Sequence, residues 1–294
     1  MNQNWKEHNV PPNLHDCASD FIALNKICTT TNVTSQDRAP IYKLSLGQEE
    51  ALKIITEHSK SQFIQPLRMI IQGTAGTGKS HLIKCIRHAL RSNVQTQQQQ
   101  ILILAPTRVA AFNINATTIH SALKIPIKDM HPLSGQGLTT FQEAMRYIRY
   151  ILIDEMSFIG PKLLLKIDSR LREAFPNDQS IHFGGRSIIL TGDLAQLPPV
   201  LDKPLYAVHL DALAIWRQFR TVVILQTIFR QRGEHPAEIQ FKEALTNMRD
   251  AKPTQQDWEL LMTRSKHQLP VEESKQFDNL LHIFATNDIV TAHN

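Results

Sequence analysis

Residues 73–80 read GTAGTGKS, directly after the apolar run MIIQ and directly before a helix-forming stretch. This is the complete G-x-x-x-x-G-K-S pattern, and its strand–loop–helix context requires an α/β sheet to present it. Gly73, Gly76 and Gly78 permit backbone conformations that turn successive N–H groups inward, with Thr74, Ala75 and Thr77 completing the cradle. The helix N-terminus adds its partial positive charge beneath. A triphosphate fits such a loop, with Lys79 bridging its β- and γ-phosphates and the Ser80 hydroxyl available to Mg²⁺.

The flanking pattern agrees with that demand. Ser45 and Gln48 form a capping-box pair ahead of LGQEEALKIITEH, predicting a helix to about His58. Apolar runs predict strands at 68–72, 101–105, 150–154 and 187–191, interleaved with helices at 79–91, 108–115 and 161–174. Strands alternating with helices predict a parallel sheet covered on both faces. A strand at 222–225, helices at 236–248 and 254–263, and a last strand in LLHIFAT at 280–286 follow. Residues 1–43 are polar and read as a peripheral extension, and QTQQQQ at 95–100 as a variable loop.

Composition excludes several classes. No apolar run approaches the ~20 residues of a membrane span, and the N-terminus lacks the basic-then-apolar order of a secretory signal. Cys17, Cys28 and Cys85 show no C-x-x-C spacing, so neither a disulfide framework nor a zinc module is expected, and reduced thiols inside the cell are. The net charge of +5 is unevenly spread. Between Lys79 and Tyr150 there are nine basic residues and two acidic ones, leaving the remainder slightly negative. A local basic excess of this kind suits a polyanion.

Carboxylates decide what a bound triphosphate undergoes. Asp154 and Glu155 end the apolar strand YILI, a pair expected of a hydrolase: Asp154 to hold Mg²⁺ through water, Glu155 to orient and deprotonate the attacking water. SIILTGD ends at Asp193, and Gln196 follows within TGDLAQLPPV, where it can sense the γ-phosphate because ligands collect at the carboxyl ends of parallel strands.

These residues carry a resemblance. LSLGQEEAL, IIQGTAGTGKS, LAPTRVAAFNINATTIHSAL, ILIDEMSFIG, IILTGDLAQLPPV and LQTIFRQ, in this order over residues 44–231, resemble the Pif-one-type (petite integration frequency) DNA helicases of superfamily one. The final LHIFATNDIVTAHN looks like the start of that family's second RecA-like domain. The resemblance implies a P-loop NTPase with a RecA-like domain at 44–275 and the first strand of an incomplete second one at 276–294. It also implies that Gln48 reads adenine, giving a preference for ATP, and that Arg230 reaches the γ-phosphate. It assigns Thr107, Asn113, Thr118 and His120 to contact with single-stranded DNA; Arg108, within the same stretch, could add a phosphate contact or crowd the strand path, and Phe112 could stack on a base or pack, with core the favoured reading. Two positions depart from the family: Arg108 and Ala116 stand where many members have glycine.

The activity implied is ATP-driven 5′-to-3′ movement on single-stranded DNA and duplex unwinding, in DNA repair, recombination and telomere maintenance. ATP and Mg²⁺ are the implied cofactors, DNA the implied partner, with no membrane role. The nucleus is the expected compartment and the mitochondrion the alternative. With one RecA-like domain, the chain is expected to be a partial motor. Two other classes stay open: a nucleotide- and DNA-binding module without motor activity, and a P-loop ATPase that does not act on nucleic acid.

Overall fold

The structure is a computed structural model, and it describes residues 44–61, 65–92, 100–207, 210–229, 233, 235–265, 267–278 and 280–293. The chain divides into two compact units between Arg230 and Gln231, within the stretch that the sequence reading assigned to the first RecA-like domain.

The first unit is built on six parallel strands: β1 (Arg68–Gly73), β2 (Ile101–Ala105), β3 (Thr117–Thr118), β4 (Tyr150–Ile153), β5 (Ser187–Gly192) and β6 (Thr221–Leu225). Their order across the sheet is β3-β2-β4-β5-β1-β6. Parallel neighbours require crossovers, and helices supply them: α1 (Leu46–Lys60) precedes β1, α2 (Lys79–Ser92) joins β1 to β2, and α3 (Arg108–Asn113) joins β2 to β3. The short α4 (Ile119–Ala122), α5 (Gly135–Met145), α6 (Pro161–Ala174) and α7 (Leu210–Trp216) follow in turn.

Successive strand residues point to opposite faces, and each face is covered. Ile70, Leu102, Leu104, Ile151, Ile153, Ile188 and Leu190 pack with Phe141, Met145, Leu164, Ile167 and Leu171 from α5 and α6. Met69, Ile71, Ile101, Ile103, Leu152 and Ile189 pack on the other side with Ile55, Leu82, Ile83 and Ile86 from α1 and α2. Strands buried on both faces explain why their sequences are continuous apolar runs rather than alternating ones.

Helix α6 follows the sequence expectation at both ends, with Pro161 at its first turn. Helix α5 was not expected, because Gly135 and Gly137 interrupt its pattern; its apolar contacts are Phe141 and Met145, one turn apart.

In the second unit, α8 (Pro236–Arg249) packs against α9 (Gln255–Met262), and α10 (Val271–Lys275) and α11 (Asn287–His293) follow. Thr254 and Asp257 form a capping box, and Asn247 Nδ2 donates to Asp257 Oδ2 at 2.9 Å. These bonds, with the Thr254 backbone N–H first, hold the Asp257 carboxyl below its ordinary range. The strand expected at 280–286 does not form: no described residue after β6 is in a strand, and Leu281 and Ile283 are exposed. A strand is stabilised by pairing, and this run has no ladder partner among the described residues.

Candidate functional site

The order β4-β5-β1 decides the site. It places the carboxyl ends of these three strands side by side, with Ile153 opposite Leu190 and Gln72 opposite Gly192. The phosphate-loop pattern after β1, Asp154 and Glu155 after β4, and Asp193 after β5 therefore converge on one edge, as ligand sites in open parallel sheets do.

The loop at 73–80 is tightly tied. Thr77, almost fully buried, donates through Oγ1 to the Thr74 carbonyl at 2.8 Å. Lys79 Nζ donates to the carbonyls of Gly73 (2.7 Å) and Thr74 (3.0 Å), so its charge is folded back over the loop. Gly78 has φ +77°, and a Cβ there would lie 2.5 Å from Gln48 Nε2. Thus the backbone conformation favours glycine, and a Cβ there would have to displace the tip of the Gln48 side chain. The Phe229 N–H donates to the Gly76 carbonyl at 2.7 Å, so the LQTIF segment after β6 is anchored on the same loop. Arg230, the next residue, lies outside the described residues, as do residues 1–43 and most of the Gln-rich stretch.

Gln48 is buried and its amide is satisfied within the protein. Oε1 accepts from the Ser45 N–H at 3.0 Å in the capping box, and Nε2 donates to the Thr77 carbonyl at 3.0 Å. In this structure the side chain braces the phosphate loop against the start of α1. Contact with an adenine through both amide groups requires these bonds to be exchanged.

Asp154 is buried, and Oδ1 accepts from Thr191 Oγ1 at 2.5 Å. Glu155 has left-handed backbone angles, φ 52° and ψ 51°, which a non-glycine residue adopts at a cost of about 1–2 kcal/mol. Its Oε2 is buried, with no hydrogen-bond partner among the described residues. Burial first, then the neighbouring charges of Asp154 and Asp193, push its carboxyl above the ordinary value, while Lys79 acts the other way. A half-desolvated carboxylate with an open acceptor is suited to take a proton from water.

Asp193 is buried and accepts from Gln72 Nε2 at 2.7 Å, while the Leu194 N–H donates to Gln72 Oε1 at 3.3 Å. Gln72 thus clasps the end of β1 to the loop carrying Gln196, whose N–H donates to the Asp193 carbonyl at 3.0 Å. Gln196 itself is half-buried. Sequence reasoning missed both Thr191 and Gln72, because their roles arise from strands that are neighbours in space only.

The expected nucleic-acid residues gather beyond the ends of β2 and β3, which pair Leu104 with Thr117 and Ala105 with Thr118. Thr107 caps α3, accepting from the Ala110 N–H at 3.2 Å, and Arg108 beside it is exposed. Asn113 is exposed at the end of α3. Thr118 caps α4, with its hydroxyl donating to Ser121 Oγ at 2.9 Å. His120 is half-buried; burial first and the Lys166 charge second hold its proton affinity below the ordinary value. Phe112 is not core: it is 82% exposed, and Val109 is 73% exposed. Helix α3 has only six residues and turns Ala111 inward, which swings the next side chain about 100° around the axis and out into solvent.

Arg170, in α6, supports this region and was also missed. It is fully buried, pairs with Glu173 at 2.6 Å and donates to the carbonyls of Lys124 and His131, both at 3.2 Å. Lys166 donates to the Lys128 carbonyl at 2.8 Å, so one helix face holds the loop that follows α4.

Comparison with known proteins matches residues 43–259 to the profile of the PIF1-like helicases. The chain belongs to the PIF1-like helicase family. It is 31% identical over 218 residues to the ATP-dependent DNA helicase PIF1 of Emericella nidulans, covering 72% of this chain and 27% of that protein. It is also 31% identical over 203 residues to the ATP-dependent DNA helicase RRM3 of Saccharomyces cerevisiae, covering 67% of this chain and 27% of that protein. Among solved structures, the Pif1 helicase from Bacteroides in complex with ADP-AlF3 and ssDNA superposes with a TM-score of 0.60 at 25% identity, over 85% of this chain and 56% of that one. The six-stranded parallel sheet with helices on both faces is the RecA-like architecture of this family. The chain spans about a quarter of the length of these two relatives.

The donor set suits a magnesium nucleotide. Ser80 is exposed at the start of α2, Asp154 supplies a hard oxygen donor, and Glu155 Oε2 is an orphaned buried acceptor. Mg²⁺ bound there would neutralise charge developing on transferred phosphate oxygens.

Proposed function

We propose that this chain is the ATP-hydrolysing part of a DNA helicase that moves 5′ to 3′ on single-stranded DNA and separates duplexes. The observation that carries the hydrolase reading is Glu155, whose buried, unpartnered Oε2 sits under the influence of Lys79, Asp154 and Asp193. A carboxyl with raised proton affinity and an open acceptor deprotonates water, whereas a pure binding site gains nothing from keeping such a group desolvated. Gln196 senses the γ-phosphate and Arg230 stabilises its charge; Gln48 confers the preference for ATP.

DNA as the polymer is supported by the basic excess between Lys79 and Tyr150 and by the exposed Arg108, Phe112 and Asn113. It is also supported by the single-stranded DNA named in the Bacteroides complex. Roles in repair, recombination and telomere maintenance, and a nuclear location with the mitochondrion as second compartment, belong to the same proposal.

The test is steady-state ATP hydrolysis with and without single-stranded DNA, with Lys79→Ala as the blank. Stimulation by DNA that the blank loses is the expected result. Turnover indifferent to DNA would point to a P-loop ATPase with another partner, and retained ATP binding without turnover to a binding module.

A further inference from the structure

A second cavity, carrying the charge of Arg149, lies at the other end of the sheet, where β1, β4 and β5 begin. Its volume is about 110 Å³, and it is lined among others by His58, Arg149, Tyr150, Arg186 and Ser187, with no acidic side chain among the described residues that line it. That space holds several waters or one tetrahedral oxyanion. The length of β1 separates it from the phosphate loop by roughly 20 Å.

The polar groups divide into donors and one acceptor. Arg149 is exposed, and its guanidinium has no hydrogen-bond or ion-pair partner among the described residues. Its field nevertheless acts on both His58 and Tyr150, so its charge sits at the cavity. Arg186 is a fixed wall: it pairs with Asp178, donates to the Gly184 carbonyl at 2.9 Å and lies over the Phe175 ring. Ser187 Oγ accepts from the Leu67 N–H at 3.0 Å, which leaves its own O–H to donate. The acceptor follows from a tautomer. His58 Nε2 lies 3.0 Å from the Gln65 carbonyl, which can only accept, so Nε2 carries the proton. Nδ1 then accepts from the Tyr150 hydroxyl at 2.7 Å, and the phenol oxygen retains acceptor capacity.

We propose that this cavity is a second phosphate site, selective for a terminal phosphate group. Arg149 and the Ser187 hydroxyl donate to phosphate oxygens, and the Tyr150 oxygen accepts from a P–OH. Sulfate and the diester backbone of nucleic acid lack that proton and are disfavoured. The source is either free phosphate or the 5′-phosphate end of a polynucleotide.

The experiment is calorimetric titration of the chain carrying Lys79→Ala, which silences the nucleotide loop, with inorganic phosphate and with sulfate near pH 6.5. Phosphate is expected to bind at least several-fold tighter than sulfate, and Arg149→Ala to weaken it about tenfold or more. Because the Arg149 guanidinium has no partner to lose among the described residues, that variant is expected to keep its melting temperature without ligand, and measuring it separates lost binding from unfolding. A 5′-phosphorylated oligonucleotide that binds tighter than its 5′-hydroxyl counterpart, by a margin that Arg149→Ala removes, assigns the site to DNA ends; equal binding of the two assigns it to free phosphate. No phosphate binding up to about 10 mM, binding indifferent to Arg149→Ala, or equal affinity for sulfate would each overturn the proposal.

Discussion

Replacing Thr191 by Val tests whether the hydrolytic carboxylates are held from the neighbouring strand. Thr191 Oγ1 donates to Asp154 Oδ1 at 2.5 Å, and both residues are buried. Valine keeps the shape, so no cavity term enters, and the loss is that of one hydrogen bond to a buried carboxylate, about 1.5–3 kcal/mol. For a domain of this size each kcal/mol moves the melting temperature by about 2–4 °C, so a fall of roughly 3–12 °C is expected by calorimetry. Thr191→Ser, which retains the hydroxyl, is expected to recover most of it. An Asp154 carboxylate freed to swing also loses its position for the metal, and the same energy corresponds to a roughly 10- to 100-fold fall in kcat. Magnesium at millimolar levels should restore part of the melting temperature, because the ion replaces the lost partner. A Thr191→Val protein with unchanged melting temperature and unchanged turnover would refute the reasoning, since Asp154 would then be held by other means.

The raised proton affinity of Glu155 predicts that turnover falls as pH drops through a value above the ordinary 4.5 of a glutamate, and that ionised Glu155 costs folding stability as pH rises through the same range. Asp193→Asn removes one like charge, so the acid limb of the pH–rate profile should move to lower pH; a limb that stays put would exclude Asp193 as a cause. Gln72→Leu breaks the clasp to Asp193 and the Leu194 N–H, and is expected to lower kcat at least several-fold while leaving the KM for ATP nearly unchanged, measured by steady-state hydrolysis. Gly78→Ala forces a Cβ to within 2.5 Å of Gln48 Nε2 at φ +77°, and should abolish nucleotide binding as read by a fluorescent ATP analogue. Phe112→Ala should leave stability within about 0.5 kcal/mol, because the ring is exposed. The same change should weaken single-stranded DNA binding by about 1–3 kcal/mol in anisotropy titrations, the magnitude of a base-stacking contact.

Much of the first unit was legible in the residues because its signals are local. A loop that needs glycine at fixed spacing, a capping pair such as Ser45 and Gln48, and apolar runs buried on both faces can all be read within a window of a few residues. The same locality misled at Phe112, whose apolar character suggested burial where the helix turns its neighbour Ala111 inward and Phe112 out to solvent. It misled again at 280–286, where a strand-like run lies without a ladder partner among the described residues. Helix α5 went unseen because its two glycines hide an amphipathic pattern that only packing against α6 makes worthwhile.

The sequence alone determined the phosphate loop, the carboxylates at strand ends and the alternation of strand with helix, since each is set by backbone geometry or burial over short spans. Only the tertiary structure decided which strand ends meet. The order β4-β5-β1 brings Thr191 onto Asp154 and Gln72 onto Asp193, partners 37 and 121 residues apart in the chain. Such pairs leave no trace in local propensity, because a hydrogen bond between strands depends on how the sheet is ordered, and that order is a property of the whole buried core.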